Sequence, residues 1–139
     1  DVVNPVEDDA WERLIDTLDV LAEKDDTRTV LRTTLIDGYN MSRPAWYAAM
    51  ADRADVDFYE LKAYMHVGHS RGRLDRSSMP DHDDVLSFTE AVGEFLPEHD
   101  VLNDSTDSRV AMLAREEDTW VDRLAPESDF WEEGTTSWK

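Results

Sequence analysis

Thr29-Val-Leu-Arg-Thr-Thr-Leu-Ile36, followed by Asp37-Gly38, Tyr39-Asn40-Met41 and Ser42-Arg43-Pro44, is the stretch that decides the fold. The run from Thr29 to Ile36 is β-branched and apolar and has the length of a strand. Asp37-Gly38 ends it. Ser42 is placed to cap a helix whose first turn holds Pro44, where a missing N–H costs nothing, and that helix runs to about Ala54. The unit is strand, loop, helix, and it recurs. Phe58 to Tyr64 reads as a second strand, and the long loop His66 to Pro80 follows it. Asp81 or His82 then starts a helix with the apolar stripe Val85, Phe88, Val92, Phe95 and Leu96, which Pro97 ends. Upstream, Trp11, Leu14, Ile15, Leu18, Leu21 and Ala22 recur at helical spacing, so Ala10 to Lys24 reads as an amphipathic helix. Downstream, Val101-Leu102 and Val110 to Ala114 are brief strand candidates around the turn-forming Asn103 to Ser108. From Glu116 the chain is acidic, with Trp120, Trp131 and Trp138 at wide intervals, positions that suit core or capping residues.

Units of this kind imply an α/β fold with parallel strands joined by right-handed crossovers, plus a short extra C-terminal element. Ligands in such folds sit beyond the carboxyl ends of the strands, which singles out the loops Asp37 to Ser42 and Met65 to Pro80.

Composition bounds the rest. At 139 residues and 40% hydrophobic content, the chain is long enough for one core. No run approaches the roughly 18 to 20 apolar residues of a membrane span, and no basic start precedes an apolar segment, so a soluble, cytoplasmic protein with no membrane partner is expected. A start at Asp1, without methionine, reads like an excerpt from a longer chain. Zero cysteines exclude disulfides, thiolate-held zinc and thiolate-held iron-sulfur clusters in this sequence. The 33 acidic and 14 basic side chains give a net charge of −19, which points to a salt-adapted host, the alternative being an acidic mesophilic protein.

Side chains alternate across a strand, so Phe58, Glu60, Lys62 and Tyr64 share one face while Tyr59, Leu61, Ala63 and Met65 share the other. In the first strand Val30, Arg32 and Thr34 oppose Leu31, Thr33 and Leu35. Each strand places its charges on a single face, which predicts a polar lining: Arg32, Thr34, Glu60 and Lys62 pointing into a lumen, the apolar faces meeting the helices. The bland alternative is an Arg32–Glu60 or Glu60–Lys62 pair that merely satisfies itself. Arg71, Arg73 and Arg76, with His66, His69 and Ser70 just before them, are a local basic concentration on an acidic chain. They suit a ribose-phosphate contact, or else ion pairs with Asp75 and Asp81. His66-x-x-His69 lacks a third ligand and predicts no metal site. No P-loop, nucleophile elbow or dinucleotide fingerprint is present.

Arg28-Thr-Val-Leu-Arg-Thr-Thr-Leu35, Gly38-Tyr-Asn-Met41, Glu60-Leu-Lys-Ala-Tyr-Met65, Val67-Gly-His-Ser70, Met79-Pro80, Ser108-Arg-Val-Ala-Met-Leu113 and Thr119-Trp-Val-Asp122 form an ordered set. That set resembles the archaeal wybutosine-pathway radical-SAM enzymes, the tRNA 4-demethylwyosine synthases, and their C-terminal wyosine-base-forming region. The resemblance implies that residues 1–97 supply the last helices and strands of a partial (β/α) barrel, and residues 98–139 the wyosine-base-forming extension and an acidic tail. It also implies a lyase-class reaction joining pyruvate carbons to N-methylguanosine beside the anticodon of tRNA-Phe. S-adenosyl-L-methionine and a 4Fe-4S cluster serve that reaction in the full-length enzyme. A cysteine-free fragment would hold no cluster, would be inactive alone and would need the N-terminal part of the same enzyme as partner. Carried onto this sequence, Gly38, Tyr39, Asn40 and Met41 border the cofactor. Lys62 and Glu60 are the catalytic candidates, with Lys62 binding a carboxylate, forming a Schiff base with pyruvate, or serving structure alone. His69, Ser70, Arg71, Arg73 and Arg76 form the RNA-facing rim. A non-catalytic RNA- or protein-binding module of the same fold is the competing expectation.

Overall fold

A computed structural model describes residues 6–115, so the calls on Trp120, Trp131, Trp138 and Thr119 to Asp122 lie outside the described residues. The elements are α1 (Ala10–Ala22), β1 (Val30–Leu35), α2 (Pro44–Ala54), β2 (Phe58–Ala63), α3 (His82–Gly93), β3 (Asp100–Ser105) and β4 (Val110–Ala114). Two 3₁₀ turns, Gly68–Gly72 and Arg76–Ser78, shape the long loop between β2 and α3.

The strands form one sheet in the order β1-β2-β4-β3. β1 and β2 are parallel, with Val30 opposite Phe58 and Leu35 opposite Ala63, as the crossover through α2 requires. The parallel expectation stops there. β4 runs antiparallel to β2, and β3 runs antiparallel to β4, with a register shift between Val101 and Asn103. The connection from Thr106 to Arg109 is too short for a crossover, so β3 and β4 close as a hairpin. Arg109 adopts φ +46 to make the turn. At the other end, the Thr29 N–H donates to the Asp57 carboxylate at 2.6 Å and the Asp57 N–H donates to Thr29 Oγ1 at 3.2 Å, which holds the starts of β1 and β2 in register.

Alternation sorts the two faces. Leu35, Tyr59, Leu61, Ala63, Ala111 and Leu113 are buried against Leu18 of α1, Ala48, Ala51 and Ala54 of α2, and Val85, Phe88 and Val92 of α3. Burying a side chain such as Leu61 contributes roughly 2 kcal/mol, and a core of this kind is what holds the two layers together. On the opposite face Val30, Arg32 and Thr34 are exposed and Glu60 and Lys62 are half-buried. Among the described residues, helices cover one face only and β1 is an edge of the sheet.

Two local expectations change. Ser42 does not cap α2: Arg43 occupies the cap position at φ +58, no side chain caps the helix, and the Arg43 guanidinium lies 4.2 Å from the centre of the exposed Trp46 ring. Phe95 leaves the apolar stripe and is exposed, because α3 ends at Gly93 and the helical period ends with it. The start of α3 is a capping box. The Asp81 carboxylate accepts from the Asp84 N–H at 2.9 Å, the Asp84 carboxylate accepts from the Asp81 N–H at 3.2 Å, and the first of these bonds is the largest cause holding the Asp81 carboxyl below its usual range.

Candidate functional site

The parallel pairing sets Arg32 beside Glu60 and Thr34 beside Lys62 on the face without helices. Arg32 Nε donates to Glu60 Oε2 at 2.5 Å, and the Nη2 group joins the same oxygen, so the Arg32–Glu60 pair that the strand spacing allowed is made. The alternative Glu60–Lys62 pair is not. Lys62 makes no hydrogen bond or ion pair among the described residues. The residue is half-buried and lies two positions along the same strand face from Glu60, whose carboxylate already has a partner.

The loop after β1 is built by the residues expected to border a cofactor. Gly38 adopts φ +76, a conformation that favours glycine, and the Tyr39 and Asn40 N–H groups both donate to the Ile36 carbonyl, at 3.1 and 3.2 Å. The Asn40 side chain is consumed locally: its Oδ1 accepts from the Ile36 N–H at 2.7 Å and its Nδ2 donates to the Thr34 carbonyl at 2.9 Å. Met41 packs on the core, whereas the Tyr39 ring stays exposed. Tyr39 and Trp46 belong to an open cleft of about 870 Å³ along the free edge of β1, with Trp11, Leu14, Leu31 and Arg32 on its other walls.

The loop after β2 is tied to the first, since the Asp37 N–H donates to the Ser78 carbonyl at 2.9 Å. Leu74 and Ser78 are buried and anchor it, while His69, Arg71, Arg73 and Arg76 are exposed. None of these arginines forms an ion pair among the described residues, so the alternative pairing with Asp75 and Asp81 is absent there. Arg71 Nε donates to the His66 carbonyl at 3.3 Å. The Ser70 hydroxyl serves the loop itself, donating to the Val67 carbonyl at 2.5 Å. The described residues hold no group of three or more His, Asp or Glu side chains suited to a metal ion.

Sequence reasoning missed three features of this end. The Tyr64 hydroxyl bonds His66 Nδ1 at 3.0 Å and Ser70 Oγ at 3.2 Å. His82 Nε2 meets the Asp104 carboxylate at 2.8 Å, and Arg109 Nη1 donates to the Pro80 carbonyl at 2.9 Å, so the start of α3 and the β3–β4 hairpin are joined here. Only the first had a legible signal, in the spacing of Tyr64 and His66 by two residues just past a strand. The other two join segments more than twenty positions apart. No helix among the described residues is long and apolar enough to cross a membrane.

Comparison with known proteins agrees with this arrangement. The family described as wyosine base formation matches residues 53–115, from the end of α2 through β4. An S-adenosyl-L-methionine-dependent tRNA 4-demethylwyosine synthase of Methanocaldococcus jannaschii is 45% identical over 106 residues, covering 76% of this chain and 33% of that protein. The Xenopus laevis protein of the same name is 32% identical over 126 residues, covering 85% of this chain and 17% of its own length. Among solved structures, a TYW1 with a lysine-pyruvate adduct bound superposes with a TM-score of 0.68 at 41% identity, covering 80% of this chain and 34% of that one. An archaeal TYW1 crystal structure gives 0.62 at 37% identity over the same 80% of this chain and 34% of its own. The chain thus spans about a third of the length of its archaeal relatives. Matching order, matching fold and identity of this level place the chain in the tRNA 4-demethylwyosine synthase family, as a part corresponding to the wyosine base formation region.

Proposed function

We propose that this chain is the substrate-side, C-terminal part of an S-adenosyl-L-methionine-dependent enzyme that condenses pyruvate carbons with N-methylguanosine next to the anticodon of tRNA-Phe, and that Lys62 is the amine that holds pyruvate. The observation that carries the reading is the free, half-buried Lys62 on the open face, beside a Glu60 already engaged by Arg32. A structural neighbour at 41% identity contains a lysine-pyruvate adduct, which supports a lysine for this role. Of the three lysines here, Lys24 is exposed at the end of α1 and Lys139 lies outside the described residues. Lys62 alone among the described lysines stands on the strand face where a barrel binds its substrate.

The chemistry is imine formation. The Lys62 amine attacks the ketone carbon of pyruvate, the carbinolamine loses its hydroxyl as water, and a protonated imine remains. Glu60 holds the Arg32 guanidinium in place, leaving the other N–H groups of Arg32 for the pyruvate carboxylate. S-adenosyl-L-methionine would border Gly38 to Met41, where the exposed Tyr39 ring lines the cleft and Asn40 and Met41 keep the loop in shape. When bound, it supplies a carbon-centred radical. A 4Fe-4S cluster needs thiolates, so its ligands would belong to the N-terminal part of the protein, docked along the free edge of β1. His69, Arg71, Arg73 and Arg76 form the rim that meets the anticodon arm, with Ser70 shaping it. Residues 1–97 serve as the end of a partial (β/α) barrel and 98–139 as the base-forming extension, in a cytoplasmic, lyase-class enzyme.

The test is hydride trapping in the full-length protein. With pyruvate and borohydride, the peptide carrying Lys62 should gain the mass of a reduced pyruvate adduct, and Lys62→Ala should lose it. Trapping that persists undiminished in Lys62→Ala would remove Lys62 from the mechanism.

A further inference from the structure

Tyr64, His66 and Ser70 form a hydrogen-bonded group of which the reading above uses only Ser70, in the rim. The Tyr64 N–H donates to the Leu35 carbonyl at 2.7 Å, so strand geometry continues one residue past β2 and sets Tyr64 on the Lys62 face, about 6.7 Å further along. Tyr64 is only 5% exposed and stands apart from the helix-side core, which agrees with that side. The group therefore sits at the mouth of the face that carries Lys62.

Proton bookkeeping fixes its polarity. The Ser70 hydroxyl has one proton, and at 2.5 Å it goes to the Val67 carbonyl. The Tyr64 proton then goes to Ser70 Oγ at 3.2 Å. The Tyr64 oxygen is left as acceptor, so the 3.0 Å bond to the imidazole is donated by His66 Nδ1–H. A neutral His66 so held keeps its lone pair on Nε2, which has no partner among the described residues. An imidazole with one nitrogen pinned by a second group and the other free is the arrangement of a general base.

We propose that His66 is the proton-transfer residue of Lys62 chemistry, with Tyr64 and Ser70 as the positioning residues that set its tautomer. This rests on Lys62 being the imine-forming amine. His66 Nε2 takes a proton from the Lys62 ammonium, freeing the amine to attack the ketone carbon. The N–C bond forms, a second proton passes from nitrogen to the carbinolamine oxygen, and His66 returns its own proton to that hydroxyl as the C–O bond breaks. Water leaves, the last proton stays on the imine nitrogen, and His66 ends neutral as it began. No oxidant or reductant is needed. Among the described residues, the charged side chain hydrogen-bonded to His66 is Arg71, through the backbone carbonyl and not the ring.

The experiment measures single-turnover adduct formation in the full-length protein by quenching with borohydride between pH 5 and 9, with a thermal melt for each variant. Lys62→Ala controls the underlying reading: if it still traps pyruvate at the wild-type rate, that reading and this one fail together. His66→Gln should slow trapping by about 10²-fold or more and abolish the inflection in its pH profile. Added imidazole should restore part of the rate in His66→Ala. Tyr64→Phe retains the ring but drops the hydroxyl, so it should move the inflection and slow trapping by a smaller factor. If Lys62 traps pyruvate while His66→Gln keeps the wild-type rate and pH profile, the role of His66 is overturned and that of Lys62 stands. A His66→Gln variant that is slower, but with the inflection unchanged and no rescue by imidazole, would mean that His66 only shapes the loop, which also overturns the proposal.

Discussion

Tyr59 and Lys62 stand three residues apart on one strand and meet opposite environments. Tyr59 is fully buried under the helices, with its hydroxyl 2.8 Å from Thr33 Oγ1, and burial pushes the phenol up to about 12. An ionised phenolate would lose its hydration in that position. The sign of the linkage follows. The folded state favours the neutral phenol more than the unfolded state does, so this contribution is complete below the unfolded value near 10 and is lost as pH rises from about 10 towards 12. Stability measured by denaturant titration should therefore fall across that alkaline window. Tyr59→Phe should flatten the fall, at the cost of about 1 kcal/mol at neutral pH for the lost hydroxyl bond. An alkaline limb of unchanged slope in Tyr59→Phe would assign it to other groups. Lys62, on the other face, lies outside the core, so its substitution is tested by pyruvate trapping and not by this titration.

At the scale of elements, the β2–α3 loop is a scaffold with an exposed rim. Leu74 and Ser78 bury its base, and bonds from Asp37 and Arg109 tie its end at Ser78 and Pro80 to the β1 loop and the hairpin. Arg71, Arg73 and Arg76 are left outward without ion pairs among the described residues. In the proposed function they position a phosphate backbone without reading bases. In the full-length protein, Arg71→Ala and Arg73→Ala should each weaken tRNA-Phe binding by a similar factor for other tRNAs, and lower the slope of log affinity against log salt by about one unit. Filter binding across a KCl series measures both quantities. Wild-type affinity and slope in both variants would move the RNA surface elsewhere.

The chain carries a net charge of −19, and its described residues form a two-layer fold with one sheet face uncovered by helices. Self-repulsion of that size opposes compaction, and molar salt shortens the Debye length to about 3 Å. The melting temperature should rise steadily from dilute buffer to molar KCl, and a midpoint independent of KCl would contradict salt adaptation. Among the described residues, the edge of β1 and the cleft with Trp11, Trp46 and Tyr39 beside it leave apolar and backbone groups open to solvent, and in the proposed function this is where the N-terminal part docks.

What the sequence alone determined was local. Strand-loop-helix order, the helix at His82, and the sorting of Glu60 and Lys62 from Leu61 and Ala63 follow from periods of two and about 3.6, which need no knowledge of neighbours. The ordered motifs added the family. Tertiary structure decided whatever depends on distant partners. It sent Glu60 to Arg32 and left Lys62 without an ion pair among the described residues, because the register of β1 on β2 puts Arg32 directly across from Glu60 and leaves Thr34 opposite Lys62. It spent the Asn40 amide on the end of β1, moved the α2 cap from Ser42 to Arg43, and inserted β4 antiparallel between β2 and β3. Charge pairing, amide satisfaction and strand order are settled by which groups arrive side by side, and that geometry exists only once the chain has closed on itself.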